Sequence, residues 1–98
     1  MRRQALRVDT VDAVTRTLAR ELGPRKIRVN SINPGVVETK GTHAAGVIGS
    51  DFQKGFEAQT PRGRIAQPSD IAPVAVSLAS GVSAWVTGET LLASGGLR

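Results

Sequence analysis

The stretch VNSINPGVVETKG, residues 29–41, sets a strand-like run directly against a Pro-Gly corner and a polar segment. Residues 27–33 are a short run rich in β-branched side chains, which predicts a strand with alternating faces. Asn33 precedes a proline, which favours extended backbone up to the end of that strand. The corner has two open interpretations. It is an ordinary strand-to-helix turn, or the strand ends at a ligand that the backbone must approach closely.

A helix is predicted before this strand, over residues 11–22. Its apolar residues recur at three- and four-residue steps and are Val11, Val14, Leu18 and Leu22. Asp12 and Arg16 are four residues apart in the order that favours a helical ion pair. Gly23 and Pro24 predict the end of the helix, with Gly23 as the left-handed cap.

Residues 42–59 follow the Pro-Gly corner and combine three glycines with scattered apolar side chains. They predict a loop with one short, weak helix, a mobile flap within residues 40–60. Residues 71–78 carry a second helical apolar stripe. If Asp70 is the N-cap of that helix, Pro73 falls in the first turn; if the helix begins at Pro68, Pro73 should bend it.

A second strand is predicted over residues 90–93, before a Gly-Gly end. The order helix, strand, helix, strand predicts an α/β unit with a parallel sheet. Parallel strands are normally covered on both faces, so two strands alone make an incomplete domain. We therefore expect Val29, Ile32 and Leu91 to face water or a partner, and a marginal or self-associating monomer.

Size and composition narrow the class of protein. The 98 residues form one domain at most, and the absence of cysteine excludes disulfides, thiolate metal sites and a cysteine nucleophile. No apolar run reaches membrane-spanning length, so a soluble, cytoplasmic protein without a membrane partner is expected. The net charge is +5, yet the basic residues are scattered and no aromatic stripe accompanies them. This pattern disfavours nucleic acid as a partner.

Three segments in order carry a resemblance: VDAVTRTLARELGPRKIRVNSINPGVVETKG, then GRIAQPSDIAPVAVSLAS, then VTGETLLASGG. Together, from about Val11 to Gly96, they resemble the C-terminal part of the short-chain dehydrogenase/reductase family. Residues 1–10 are a divergent lead-in. The ending looks most like 3-oxoacyl-carrier-protein reductases or glucose dehydrogenases. The resemblance implies the last part of a doubly wound, Rossmann-like sheet in an oxidoreductase of alcohol or carbonyl substrates.

The resemblance also implies roles for the opening stretch, with NAD or NADP as the cofactor. Pro34 and Gly35 would open the loop around the nicotinamide ring. The backbone of Val37 would bond the carboxamide, and Thr39 would bond the carboxamide or a phosphate oxygen. The flap would cover the substrate. No metal site is expected.

The catalytic groups of the family are missing at the expected positions. An ungapped comparison of the helix puts Gln4 where the family has its catalytic tyrosine and Val8 where it has lysine. Neither side chain can pass a proton as a phenol with a lowered pKa does. The glycine-rich turn and the catalytic serine would lie before Met1. His43 is the only histidine, and without an orienting partner we expect a surface residue rather than a general acid.

Two functions remain open at this point. The chain is an inactive cofactor-loop part of a dehydrogenase, or a non-catalytic dimerisation module derived from one. By resemblance, a homo-oligomer would form through the 11–22 helix and through the 71–80 helix with the 90–93 strand. Two smaller departures from the family pattern are Arg62, where leucine is common, and Ser94, where an acid is usual.

Overall fold

The computed structural model describes the backbone of residues 2–97 and the side chains of residues 10–97. Four α-helices and two strands occur in this part of the chain. They are α1 (Arg2–Leu22), β1 (Ser31–Pro34), α2 (Lys40–Ala44), α3 (Asp51–Gln59), α4 (Pro68–Ala79) and β2 (Thr90–Ala93), with short 3-10 turns at Gly23–Arg25 and Gly81–Ser83. The predicted α/β order is confirmed. Across the described residues, no helix is both long and apolar enough to cross a membrane.

The two strands form one parallel sheet. The Ser31 N–H donates to the Glu89 carbonyl at 2.9 Å and the Gly35 N–H to the Ala93 carbonyl at 3.1 Å, so both strands advance in the same direction. β2 occupies the predicted residues. For β1 the predicted bounds of 27–33 were wrong at the start, because the Val29 N–H donates to the Thr87 hydroxyl instead of a backbone carbonyl.

The chain divides into two compact units, and β1, α4 and β2 each contribute residues to both. Unit 1 contains residues up to Ile32 together with Ser77–Leu91, and unit 2 contains Asn33–Val76 together with the residues from Leu92 onward. Each unit is described by itself below.

In unit 1 the predicted helix is confirmed and begins earlier, at Arg2. Its buried residues are Thr15 and Ala19, four apart, and the Thr15 hydroxyl bonds to Ser31. Asp12 lies on the same side and accepts from the Thr90 hydroxyl, so the predicted pair with Arg16 does not form. The apolar stripe of α1 stays open to solvent: Val11 is 52% exposed, Val14 51% and Leu18 38%.

The end of α1 differs from the prediction. Gly23 continues into a 3-10 turn, and the left-handed residue is Lys26, with φ at 62°. The Ile27 N–H donates to the Leu22 carbonyl and the Lys26 N–H to the Gly23 carbonyl, a Schellman motif with lysine at the position that usually holds glycine. Pro24 lies inside the 3-10 turn, which moves the cap three residues along the chain.

Residues 28 and 30 of unit 1 anchor the turn that follows α4. Arg28 donates to the carbonyls of Ser80 at 3.0 Å and Ser83 at 2.9 Å, and Asn30 donates to the carbonyl of Val86 at 3.0 Å. The two side chains point the same way, as the alternating pattern predicts. These bonds add side-chain donors to carbonyls of the turn, two of which also accept from backbone N–H groups within it.

In unit 2 the flap is more helical than predicted. Residues 42–59 were expected to hold one short helix, but α2 and α3 both form in this region. Each begins at a hydroxyl N-cap, Thr39 for α2 and Ser50 for α3, and these capping signals were overlooked in the sequence. Mobility of the flap stays a prediction.

The second alternative for α4 is the observed one, because the helix begins at Pro68 and contains Pro73 in its interior. The Asp70 carboxylate accepts from the Gln67 N–H at 2.7 Å and so caps the helix from its first turn instead of serving as the N-cap. Whether Pro73 bends the helix stays a prediction.

The apolar core is small. Among the described side chains only Ala19 and Ile65 are buried hydrophobic residues. Leu91 is 45% exposed, as expected for a strand without a cover, whereas Val29 and Ile32 are half-buried. Trp85 is almost fully exposed in unit 1. The predicted incompleteness of the domain is consistent with this limited burial.

Candidate functional site

Residues 34–39 run from the end of β1 to the N-cap of α2, so the predicted cofactor residues lie in one non-helical segment at a strand terminus. Ligands of open α/β sheets bind at this end of the strands. Gly35, Val37 and Thr39 are near neighbours in the sequence, and all three lie in unit 2. It also gives each of them a structural partner, which tests the two interpretations of the Pro-Gly corner.

Gly35 is required by its protein neighbour. A Cβ at this position would lie 3.3 Å from the Cα of Ser94, which is tighter than an ordinary contact. The Gly35 N–H donates to the Ala93 carbonyl at 3.1 Å, which holds the two backbones together here. The missing side chain therefore serves the close approach of β2, and a ligand is not needed to explain this glycine.

Val37 has a free backbone donor. The residue forms an isolated parallel bridge with Ala66, made by the Ala66 N–H to the Val36 carbonyl at 2.8 Å and the Glu38 N–H to the Ala66 carbonyl at 2.9 Å. These two hydrogen bonds use the carbonyl of the residue before Val37 and the N–H of the residue after it. The Val37 carbonyl accepts from the Thr42 hydroxyl at 3.1 Å, while its N–H meets no acceptor among the backbone of residues 2–97 and the side chains of residues 10–97. Val37 as a residue is half-buried, and a backbone N–H without a protein partner is available to a ligand or to water.

Thr39 starts α2 through a reciprocal capping box. Its hydroxyl accepts from the Thr42 N–H at 3.1 Å, and the Thr42 hydroxyl accepts from the Thr39 N–H at 2.7 Å. The side chain of Thr39 is exposed, and its hydroxyl lies 3.4 Å from the Thr42 hydroxyl, a long contact in which either oxygen can be the donor. Thr39 can therefore hold the helix and still donate to an oxygen in solution.

Glu38 joins this segment to the loop before α4, a contact that the sequence analysis overlooked. One carboxylate oxygen accepts from the Gln67 amide at 2.8 Å, and the other lies 2.9 Å from His43 Nε2. The Gln67 hydrogen bond, followed by the His43 bond, lowers the pKa of Glu38. The expectation that His43 has no orienting partner was wrong, although its side chain is 56% exposed.

Asp70 organises the neighbouring loop. Arg64 donates to both of its carboxylate oxygens, at 2.8 and 3.0 Å, and Glu57 accepts from the Ile65 N–H at 3.2 Å. The Arg64 hydrogen bonds are the largest cause of the low pKa of Asp70, which is about 2. Bidentate pairs of this kind fix geometry as well as charge. In the sequence, this ion pair could have been found from an arginine and an aspartate on either side of the start of α4.

The two expected catalytic positions lie in α1, which begins at Arg2. The side chains of Gln4 and Val8 fall outside the side chains that the structure describes. In the part of the chain with described side chains, no three histidine or acidic residues are grouped to hold a metal ion.

Comparison with known proteins gives consistent relatives. The sequence profile of the family described as Enoyl-(Acyl carrier protein) reductase matches residues 9–98. An uncharacterized oxidoreductase of Methylorubrum extorquens is 56% identical over 88 residues, which cover 90% of this chain and 36% of that protein. The 3-oxoacyl-[acyl-carrier-protein] reductase of Escherichia coli is 41% identical over 83 residues, 85% of this chain and 33% of the enzyme.

Solved structures agree with these relatives. A 3-oxoacyl-[acyl-carrier protein] reductase from Brucella melitensis superposes with a TM-score of 0.82 and 38% identity, over 91% of this chain and 32% of the other. A second reductase from the same organism, solved with bound NAD, has a TM-score of 0.73 and 38% identity, over 91% of this chain and 30% of the other. The chain thus spans about a third of the length of the relatives it matches.

Proposed function

The chain belongs to the short-chain dehydrogenase/reductase family, and on that premise we propose that residues 34–39 form the nicotinamide end of an NAD(P) site. Pro34 and Gly35 shape the loop, the Val37 N–H donates to the carboxamide and Thr39 donates to the carboxamide or a phosphate oxygen. A bound nicotinamide would accept a hydride from an alcohol substrate when oxidised, or give one to a carbonyl substrate when reduced. NAD and NADP are both compatible with this segment.

The free N–H of Val37 is the observation that carries this proposal. A donor at a strand terminus with no protein acceptor fits a carboxamide oxygen, and the neighbouring Thr39 adds an exposed hydroxyl. Gly35 supports the loop geometry through its contact with Ser94 rather than through ligand contact. The residues present therefore fit the nicotinamide end of the cofactor.

The same proposal holds that the chain alone does not turn over substrate. Gln4 and Val8 occupy the expected positions of the proton-transfer pair, and neither an amide nor an alkyl group transfers a proton near neutral pH. The proposed contacts of residues 34–39 also include none to the adenosine half of the cofactor. Binding is therefore expected to be weak and confined to the nicotinamide end.

A titration with two half-cofactors tests this proposal. In ¹⁵N NMR spectra, nicotinamide mononucleotide should shift the Val37 and Thr39 amides, whereas adenosine monophosphate should not. Val37→Pro removes the donor and should abolish the shifts, and Val37→Ala, which keeps the N–H, should retain them. Equal shifts with both nucleotides, or unchanged binding by the Val37→Pro variant, contradict the site. Oxidation of NADPH with a 3-oxoacyl ester contradicts the proposed inactivity.

The second candidate is a homo-oligomer built through α1 (residues 11–22) and through α4 with β2 (residues 71–80 and 90–93). Each of these elements exposes large apolar side chains: Val14 is 51% exposed, Val76 68% and Leu91 45%. Open apolar surface of this kind is typical of interfaces. Sedimentation equilibrium should give a defined dimer, and a monomer at all concentrations would reject this candidate. A cytoplasmic location also stays a prediction.

A further inference from the structure

Unit 2 contains a cavity of about 360 Å³ that the proposed cofactor contacts do not use. It lies between α3, α4 and the end of β2, and of the proposed cofactor residues only Gly35 lines it. Its apolar wall includes Phe56, Ile71 and Leu92, and its polar end includes Arg62, Arg64 and Asp70. Cavities of this size with an apolar wall and a few polar groups are typical of small-ligand sites.

The polar end carries a net positive charge, because Arg62 and Arg64 both act on the single carboxylate of Asp70 and lower its pKa. Arg64 and Asp70 neutralise each other through their two hydrogen bonds. The Arg62 guanidinium makes neither an ion pair nor a hydrogen bond with the side chains and backbone of residues 10–97. The resemblance to the family gives leucine as the common residue at position 62, so this charge is a particular feature of the chain.

Arg62 is held in position by its own backbone and stem. Its N–H donates to the Gly95 carbonyl at 3.0 Å. Gly95 has a left-handed φ of 65°, and a Cβ there would lie 3.0 Å from the Thr60 methyl and 3.3 Å from the Arg62 Cβ. The glycine therefore leaves room for the arginine stem, and Arg62 is one of the residues that line the cavity.

We propose that this cavity binds a small monocarboxylate with an apolar body of about one ring. The carboxylate pairs with the Arg62 guanidinium, whose planar donors match its two oxygens. The ring lies against Phe56, Ile71 and Leu92. A monoanion fits because a single charge is free, whereas a dianion such as phosphate would leave an unpaired charge beside an apolar wall.

The probe for this site is 3-phenylpropanoate, titrated into the whole chain and followed by ¹⁵N NMR. We expect saturable shifts at the amides of Gly35, Ile71 and Gly95, with 3-phenylpropanol and acetate each binding about tenfold more weakly, since each lacks one half of the recognition. This comparison of ligands needs no variant. This experiment does not use nicotinamide mononucleotide, so a negative result would leave the cofactor proposal standing.

Arg62→Leu should weaken 3-phenylpropanoate binding about tenfold, the loss expected for one charge-assisted hydrogen bond. Arg25→Leu is the matched control, because it removes an exposed arginine that does not line the cavity. The dispersion of the NMR spectrum reports whether each variant is folded. Equal binding of the acid and the alcohol, or shifts that avoid the cavity amides, overturn the proposal. Unchanged binding by a folded Arg62→Leu variant does the same.

Discussion

Charged side chains hold each unit together internally. The side chains that do so are cationic in unit 1 and anionic in unit 2. In unit 1 the cation Arg28 donates to backbone carbonyls after α4. In unit 2 the anions Glu57 and Asp70 accept from backbone N–H groups of the loop before α4. Asp70 caps the start of α4, where the helix macrodipole favours an anion. Arg28 binds the turn after the end of α4, where a cation is favoured.

The two units also leave different surfaces open. Unit 1 buries two small or polar residues of α1, Thr15 and Ala19, and exposes the apolar stripe that contains Val14 and Leu18. Unit 2 exposes Phe52 on α3 but encloses a cavity between its helices and β2. This difference is the reason to test association at unit 1 and ligand binding at unit 2. Four measurements test or sharpen the comparison.

The largest effect is expected from the cation of unit 1. Arg28→Ala removes the hydrogen bonds from the guanidinium to the carbonyls of Ser80, Ser83 and Val86 and should lower the free energy of unfolding by about 3 kcal/mol. Arg28→Lys should recover only part of this, since one ammonium cannot reproduce the fork. Urea denaturation measures both, with Arg25→Ala as the control. Equal stability of Arg28→Ala and the control would show that water replaces the arginine as a donor to these carbonyls.

The exposed stripe of α1 gives the next effect. Val14→Lys places a charge on the proposed interface and should weaken self-association about 100-fold, from lost apolar burial and a desolvated charge. Ala13→Lys on the same helix is exposed but lies away from the stripe, and it should leave the association constant unchanged. Sedimentation equilibrium compares the two variants. An equal effect of both would assign the association to another surface.

A smaller effect is expected at the end of α1. Lys26 adopts a left-handed conformation that costs a side chain about 1 kcal/mol relative to glycine, so Lys26→Gly should raise the free energy of unfolding by up to that amount. Lys26→Ala removes the charge but keeps the strained Cβ, and it should give no gain. A thermal unfolding midpoint that rises equally in both variants would assign the effect to charge.

The smallest effect is a pH dependence in unit 2. Arg64 holds the pKa of Asp70 at about 2, below its ordinary value of 3.8. The carboxylate therefore contributes stability above about pH 4, and this contribution is lost as the pH falls through about 2. The urea midpoint should therefore fall between pH 5 and pH 2, and in Asp70→Asn it should fall less. Asp51→Asn, which removes an exposed carboxylate without a side-chain partner, should keep the full fall.

Much of the architecture could be predicted from local patterns. The α1 and β2 segments have strong periodicity or clear turn residues on either side, and both are where the sequence predicts them. The site segment was predicted as a strand terminus because proline fixes the backbone locally and glycine favours a turn. The flap was predicted less well, because capping by Thr39 and Ser50 outweighs the weak helix propensity of its glycines.

The sequence by itself determined the α/β class, the family and the position of the Pro-Gly corner, because these depend on residue types at short spacing. Only the tertiary structure decided which groups are satisfied. It assigned Gly35 to the approach of Ser94, left the Val37 N–H without an acceptor among the described groups and paired Glu38 with Gln67. Such partners come from distant parts of the chain, and local patterns carry no information about which distant groups meet.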